Sequence, residues 1–293
     1  MVLDPAARAG ADRAAGPGPP GRLPDFVVIG AMKAATTSLF TWLAQHPGTT
    51  LPPGKEPTFF SDDRRWARGV DWYRCLFPEG PGITGEASPA YTWPDRSAVA
   101  AARLEATAPD ARLVFVAREP GARARSHYLH RVRRGVERQP FAAAIARSGN
   151  PYVTTSCYWT CLQPWLTGPT ADRLLVVRFE DLTGPDETTW REVLGHLGLA
   201  DAPRPALVAN ESRRLPRDTV LMRAARNQAW LRHLDRGPAW ARRVGRGLFV
   251  REVRPDDPLV TSTGAEVPRD VRERWREESG RLAEALGRSA LWD

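Results

Sequence analysis

Apolar positions along the chain change period at intervals, and the changes predict alternating strands and helices. Asp25-Phe26-Val27-Val28-Ile29-Gly30 is a short β-branched run closed by glycine, the pattern of a buried parallel strand. From Thr36 to Gln45 the apolar residues Leu39, Phe40 and Leu43 recur at helical spacing until His46-Pro47-Gly48 stops them. A second buried run, Arg112 to Ala117, lies between helices predicted from Asp95 to Ala106 and from Gly121 to Arg134. A third, Arg173 to Phe179, precedes a helix predicted from Thr188 to Leu197. This alternation predicts an α/β fold around a mainly parallel sheet.

Elsewhere the pattern is weaker. A short strand is expected around Thr49 to Leu51, and a last surface helix from Val267 to Leu286, with Val271, Trp275, Leu282 and Leu286 apolar among many charges. Ala202 to Gly264 is rich in Arg and Pro and predicts irregular helices and loops covering one end of the sheet. No internal repeat and no second domain with its own sheet is expected. Residues 1–24 read as a disordered tail and 25–293 as a single domain.

Composition narrows the function. With 293 residues, 42% hydrophobic and 26% charged, the chain can bury a substantial core, and long-range disorder is not expected. No apolar run approaches the ~20 residues of a membrane span. Met1 to Gly21 has no continuous apolar core of the kind a signal peptide carries. Three cysteines are too few for a disulfide framework, so a reducing cytoplasm is the expected compartment. Cys157 and Cys161, one helical turn apart, read as a half-buried pair of small apolar thiols. His127 and His130 share a predicted helix but lack a third ligand, so no metal site is expected. His46, in a helix-ending segment, reads as a cap residue.

Charge gives a sharper clue. Lys and Arg number 42 against 34 Asp and Glu, a formal net charge of +8. Such a surplus can serve a polyanion, but acidic residues are interleaved throughout and no basic tail exists. The densest cluster, Arg118, Arg123, Arg125, Arg131, Arg133 and Arg134, fits a local anion site better, and no nucleic-acid partner is expected. Lys occurs only twice, at Lys33 and Lys55, and both lie in segments with chemical character.

The first is Gly30-Ala31-Met32-Lys33-Ala34-Ala35-Thr36-Thr37-Ser38, between the first strand and the first helix. Such a turn aims backbone N–H groups and a positive helix end at an anion, with Lys33 and three hydroxyls beside it. A Walker A loop places Ser or Thr directly after its Lys. Here Lys33 stands three residues ahead of Thr36, which disfavours a Mg-nucleotide kinase or ATPase.

With Leu39 added, this segment resembles the 5′-phosphosulfate loop of sulfotransferases that use 3′-phosphoadenosine 5′-phosphosulfate (PAPS), in the branch that includes the heparan sulfate enzymes. Ala35 stands where many members have Gly. Arg118-Glu119-Pro120-Gly121-Ala122-Arg123-Ala124-Arg125-Ser126-His127-Tyr128 is similar to the family's 3′-phosphate segment, with Arg118 and Ser126 at the gripping positions. Lys55-Glu56-Pro57-Thr58-Phe59-Phe60 alone reads as a surface ion pair before a turn; in the resemblance Glu56 matches the catalytic base. Gly85-Glu86-Ala87-Ser88-Pro89-Ala90-Tyr91 resembles another family segment, with Ala87 in place of a lysine that supports catalysis. Phe179-Glu180-Asp181-Leu182 and the stretch from Leu282 to Trp292 look like further landmarks.

The resemblance implies a P-loop-like three-layer α/β fold and a PAPS-dependent O-sulfotransferase needing no metal. Lys33, Ala34, Ala35, Thr36, Thr37, Ser38, Arg118 and Ser126 would bind the donor, and Glu56 and Lys33 would carry the catalysis. The acceptor is a hydroxyl of a glycan, glycolipid or small natural product. Composition heavy in Ala, Arg, Gly and Pro is that of a high-GC bacterial genome, favouring a specialised metabolite or cell-surface glycolipid. The alternatives are a P-loop nucleotide kinase and a non-enzymatic Arg-rich module that binds polyanions.

Overall fold

In the computed structural model, which describes residues 21–206, 216–218, 250–252 and 255–292, the three apolar runs lie in one parallel sheet. Its strands are β1 (Phe26–Gly30), β2 (Gly85–Ala87), β3 (Arg112–Ala117) and β4 (Leu174–Arg178), in the order β2-β1-β3-β4. Phe26 pairs with Gly85 on one side and Arg112 on the other, and Leu113 pairs with Leu174. Every residue of β1 is buried, as expected for a central strand covered on both faces. At roughly 1.5–3 kcal/mol for each fully buried large apolar side chain, this stack is the main source of stability.

Helices flank the sheet. Helix α1 (Thr36–Leu43) packs on β1 and β2, while α2 (Ser97–Thr107) packs against α4 (Tyr158–Leu166). Helix α5 (Thr188–Leu197) covers β3 and β4 with Trp190, Val193, Leu194 and Leu197. It ends at Gly198 in the left-handed conformation, φ 70°, the favoured glycine stop. At the end of β1 the pairing with β3 slips, Val28 facing Val114 but Gly30 facing Phe115. Glycine is required there, because a Cβ on Gly30 would lie 2.6 Å from both Phe115 and Thr92.

These elements belong to the first of two compact units, Met1–Pro120 with Thr154–Val208 and Arg274–Asp293. The second comprises Gly121–Val153 and Ala209–Glu273. Helix α3 (Pro120–Arg133) leads into the second unit. There the buried Glu137 accepts from the Tyr152 hydroxyl at 2.8 Å and from Arg147 at 2.5 Å, and Arg123, fully buried, donates to the Tyr152 carbonyl at 2.6 Å. Helix α6 (Arg269–Ala285) runs into the first unit, where its Glu278 accepts from the amide and hydroxyl of Thr160.

Four local expectations need correction. The predicted strand at Thr49–Leu51 is a single bridge from Thr49 to Ile83, because Pro52 and Pro53 follow and cannot donate to a ladder. Within the segment expected to hold only helices and loops, Pro216–Asp218 pairs antiparallel with Val250–Glu252. Most of that segment, and residues 1–20 of the predicted tail, lie outside the described residues; residues 21–24 are described, with Arg74 donating to the Gly21 carbonyl and Arg22 to the Gly82 carbonyl, each at 2.8 Å. Cys157 and Cys161 are fully rather than half buried.

Candidate functional site

Parallel strands deliver their following loops to one edge of the sheet. The chain leaves β1 towards β2 on one side, and leaves β3 towards β4 on the other. The crevice between the C-terminal ends of β1 and β3 is therefore the topological switch point, where open α/β sheets take ligands. The loop of Lys33 follows β1, and Arg118 follows β3 directly.

The loop is held in an unusual backbone. Lys33 has φ 74° and Ala35 has φ 60°, both in the left-handed region that non-glycine residues avoid. Ala35 is the N-cap of α1, with no side-chain capping bond, and the first turn of the helix contains no acidic residue. The amide donors of that turn and its positive dipole end are thus left for an anion. Ala34 and Thr36 are buried, Thr37 is exposed, and Lys33, Ala35 and Ser38 are half-buried.

Arg118 meets this loop across the crevice. Its Nη1 donates to the Lys33 carbonyl at 3.1 Å, and its guanidinium lies over the Phe179 ring, 4.3 Å from the centroid. The Tyr158 hydroxyl donates to the Arg118 carbonyl at 2.7 Å. Burial lowers the Arg118 pKa, against the opposing pull of Glu180, Tyr158 and Glu119. Its Nε is buried with no hydrogen-bond partner among the described residues. A half-buried cation with an orphaned donor, beside an uncapped helix start, fits a phosphate-bearing ligand. Behind it, Glu180 accepts from the Glu119 amide at 2.9 Å and the Trp292 indole at 3.2 Å.

Glu56 stands beyond β2. Its carboxylate pairs with Lys55 Nζ at 2.5 Å; the Glu56 side chain is 48% exposed and that of Lys55 only 14%. Glu56 (φ 67°) and Thr58 (φ 48°) are also left-handed, so all four described non-glycine residues with positive φ fall in the Lys33 and Glu56 segments. The Thr58 amide donates to Ser88 Oγ at 3.1 Å, which ties this turn to the end of β2.

Sequence reasoning missed what lies under that turn. Glu86 is fully buried and accepts from Ser88 Oγ at 2.5 Å, Tyr91 Oη at 2.6 Å and Tyr73 Oη at 2.8 Å. Burial pushes its pKa up to about 7, against the three hydroxyl donors and the charge of Lys55, which pull it down. Its motif drew attention to Glu86 and Tyr91, but nothing in the sequence marked Tyr73. Ala87 is buried in β2 and supplies no cation. The structure joins Lys33 to Arg118 and joins the Glu56 turn to β2, whereas Ser126 is half-buried on α3 in the second unit. His46 is not the cap of α1, which is Ala44; its amide donates to the Leu43 carbonyl at 3.0 Å, while Nδ1 accepts from the Gly48 amide and Nε2 faces the Ala200 carbonyl, both at 3.0 Å.

Among the described residues no group of three or more His, Cys, Asp or Glu is placed to hold a metal ion. No helix among them is long and apolar enough to cross a membrane.

Comparison with known proteins agrees with this geometry. The family model described as "Sulfotransferase domain" matches residues 23–207, well over half of the chain. Heparan sulfate glucosamine 3-O-sulfotransferase 3A1 of Mus musculus is 32% identical over 189 residues, covering 61% of this chain and 46% of the relative. Bifunctional heparan sulfate N-deacetylase/N-sulfotransferase 4 of Mus musculus is 28% identical over 204 residues, 60% of this chain and 22% of the relative. The chain thus spans less than half the length of these relatives. The solved structure of a sulfotransferase from Alicyclobacillus acidocaldarius shares the fold, with a TM-score of 0.62 at 22% identity over 91% of this chain and 97% of that one. The P-loop-like α/β architecture is thereby established, and the chain belongs to the sulfotransferase domain family.

Proposed function

We propose that the chain transfers a sulfuryl group from PAPS to a hydroxyl of a glycan, glycolipid or small natural product. The observation that supports this reading is the bond between Arg118 and the Lys33 carbonyl, which ties the loop of Lys33 to a half-buried guanidinium at the switch point of the sheet. The donor supplies an activated sulfur–oxygen bond. Lys33 and the amides from Ala35 to Ser38, with the hydroxyls of Thr36, Thr37 and Ser38, bind the 5′-phosphosulfate and neutralise the charge that grows on the departing phosphate oxygen, while the Ala34 amide closes the loop on the Ala31 carbonyl at 3.1 Å. Arg118 grips the 3′-phosphate, and the resemblance adds Ser126 to that role. Glu56 takes the acceptor proton as the acceptor oxygen bonds to sulfur and the bond from sulfur to the 5′-phosphate breaks. Catalysis in this scheme is mostly positioning and electrostatics. Residues 25–293 act as a single sulfotransferase domain.

A thermal-shift experiment tests the donor. 3′-Phosphoadenosine 5′-phosphate should raise the melting temperature, and ATP with Mg²⁺ should not. The reverse order would favour a nucleotide kinase, while stabilisation by any polyanion, steeply dependent on salt, would favour a non-enzymatic binding module. Glu56→Gln should retain the shift and lose sulfate transfer from labelled PAPS into extracts of the producing cell.

A further inference from the structure

The first unit buries a carboxylate that the proposed transfer does not use. Glu86 has no exposed surface, and three hydroxyls converge on its two oxygens, from Tyr73, Tyr91 and Ser88. The Ser88 contact is directional. By donating its one proton to Glu86, Ser88 leaves its lone pairs for the Thr58 amide. That amide belongs to the turn Glu56-Pro57-Thr58, two of whose three residues are held at positive φ, a conformation that persists only where surrounding contacts dictate it. On its other side Arg65 donates to the carbonyls of Glu56 and Pro57.

We propose that Glu86 is a positioning residue, which acts through the Ser88 hydroxyl to fix the left-handed Glu56-Pro57-Thr58 turn and so sets the direction of the Glu56 carboxylate. The inference rests on the reading of Glu56 as the base. The groups that face Glu86 are Tyr73, Tyr91, Ser88 and the charge of Lys55. Lys55 also pairs with Glu56, so the two carboxylates share one cation. A purely structural Glu86 would need its tyrosines but would have no use for a serine that passes the bond on to Thr58.

The test compares the wild type, Ser88→Ala, Ser88→Thr and Glu56→Gln. The rate of labelled sulfate transfer into a fixed acceptor extract is followed as PAPS is varied, and each variant's thermal shift with 3′-phosphoadenosine 5′-phosphate is recorded. Ser88→Ala should lower kcat about tenfold or more, because a small misplacement of a reacting group is costly, while KM for PAPS and the thermal shift stay put. Ser88→Thr, which restores the hydroxyl, should restore kcat. A kcat for Ser88→Ala within about twofold of wild type overturns the positioning role. So does a loss that Ser88→Thr fails to rescue while the thermal shift is intact. Inactive Glu56→Gln beside a fully active Ser88→Ala would remove only the positioning role; active Glu56→Gln would remove the base assignment and the inference with it.

Discussion

Arg118 Nη1 donates to the carbonyl oxygen of Lys33 at 3.1 Å, between residues 85 positions apart in the chain. One guanidinium thereby fixes the loop after β1 and spans the crevice to the end of β3. The contact uses a backbone acceptor, so the Lys33 ammonium is not consumed by it. The bond holds the Lys33 backbone beside the Arg118 guanidinium, and so ties the start of α1 to the end of β3.

Arg118→Lys tests this arrangement. Lysine keeps the charge but has no planar fork, and it cannot both hold the Lys33 carbonyl and present paired donors to a phosphate. It also loses the stack on Phe179. Hydrogen bonds to charged groups contribute about 1.5–3 kcal/mol each, so affinity for 3′-phosphoadenosine 5′-phosphate should fall roughly ten- to a hundredfold by calorimetry. Unchanged affinity would remove Arg118 from the phosphate site.

Ala35→Gly should stabilise the protein. Ala35 has φ 60° and ψ 18°, which costs an L-residue roughly 1–2 kcal/mol and glycine nothing. Against this, glycine loses about 0.5–1 kcal/mol more chain entropy on folding. The balance favours glycine by about 0–1.5 kcal/mol. Urea unfolding should show a higher midpoint with the slope unchanged, and a lower midpoint would mean that Ala35 makes compensating contacts.

Much of the fold was legible because strands buried on both faces write themselves as continuous apolar runs, as Arg112–Ala117 does to the residue. Strand β2 was not, since it is three residues long and its centre is a glutamate, which a pattern of apolar positions assigns to the surface. The ribbon of Pro216–Asp218 and Val250–Glu252 pairs residues far apart in a segment with no period to follow. In the site, Lys33, Arg118 and Glu56 could be found by motif. Their connections could not: the left-handed turns are built on Lys33, Ala35, Glu56 and Thr58 rather than glycine, and the bond from Arg118 ends on a backbone atom that carries no residue identity.

Ser97→Ala should be among the more destabilising single-atom changes in the first unit. The Trp165 indole donates to Ser97 Oγ at 2.9 Å, and Ser97 Oγ donates to the Cys161 carbonyl at 2.6 Å, all of it buried. Alanine strands the indole N–H where water cannot reach it, at a cost of about 1–3 kcal/mol. The urea midpoint should drop accordingly, with binding of 3′-phosphoadenosine 5′-phosphate retained in the folded fraction. A neutral result would mean that the helix pair α2 and α4 can admit water.

Glu86 makes stability fall as pH rises, the reverse of the usual carboxylate effect. Its folded pKa is raised to about 7 from the ordinary 4.5, because burial disfavours the charge more than the hydroxyl donors and Lys55 support it. Between these values the folded protein holds a proton that the unfolded chain has released. Its stabilising contribution is therefore complete below about pH 4.5 and is lost progressively up to and through about pH 7. Integrated over that interval the loss is about 3 kcal/mol. His196 works in the opposite sense: burial lowers its pKa, so protonation below the ordinary histidine value costs stability on the acid side. The quantity to measure is thus the difference between wild type and Glu86→Gln, in which His196 cancels. By urea unfolding at pH 5, 6, 7 and 8, the wild type should lose ground steadily relative to Glu86→Gln, most steeply between pH 5 and 7 and less beyond. A difference independent of pH would show that the buried carboxyl does not titrate in this range and that its hydroxyl partners hold it in one protonation state throughout.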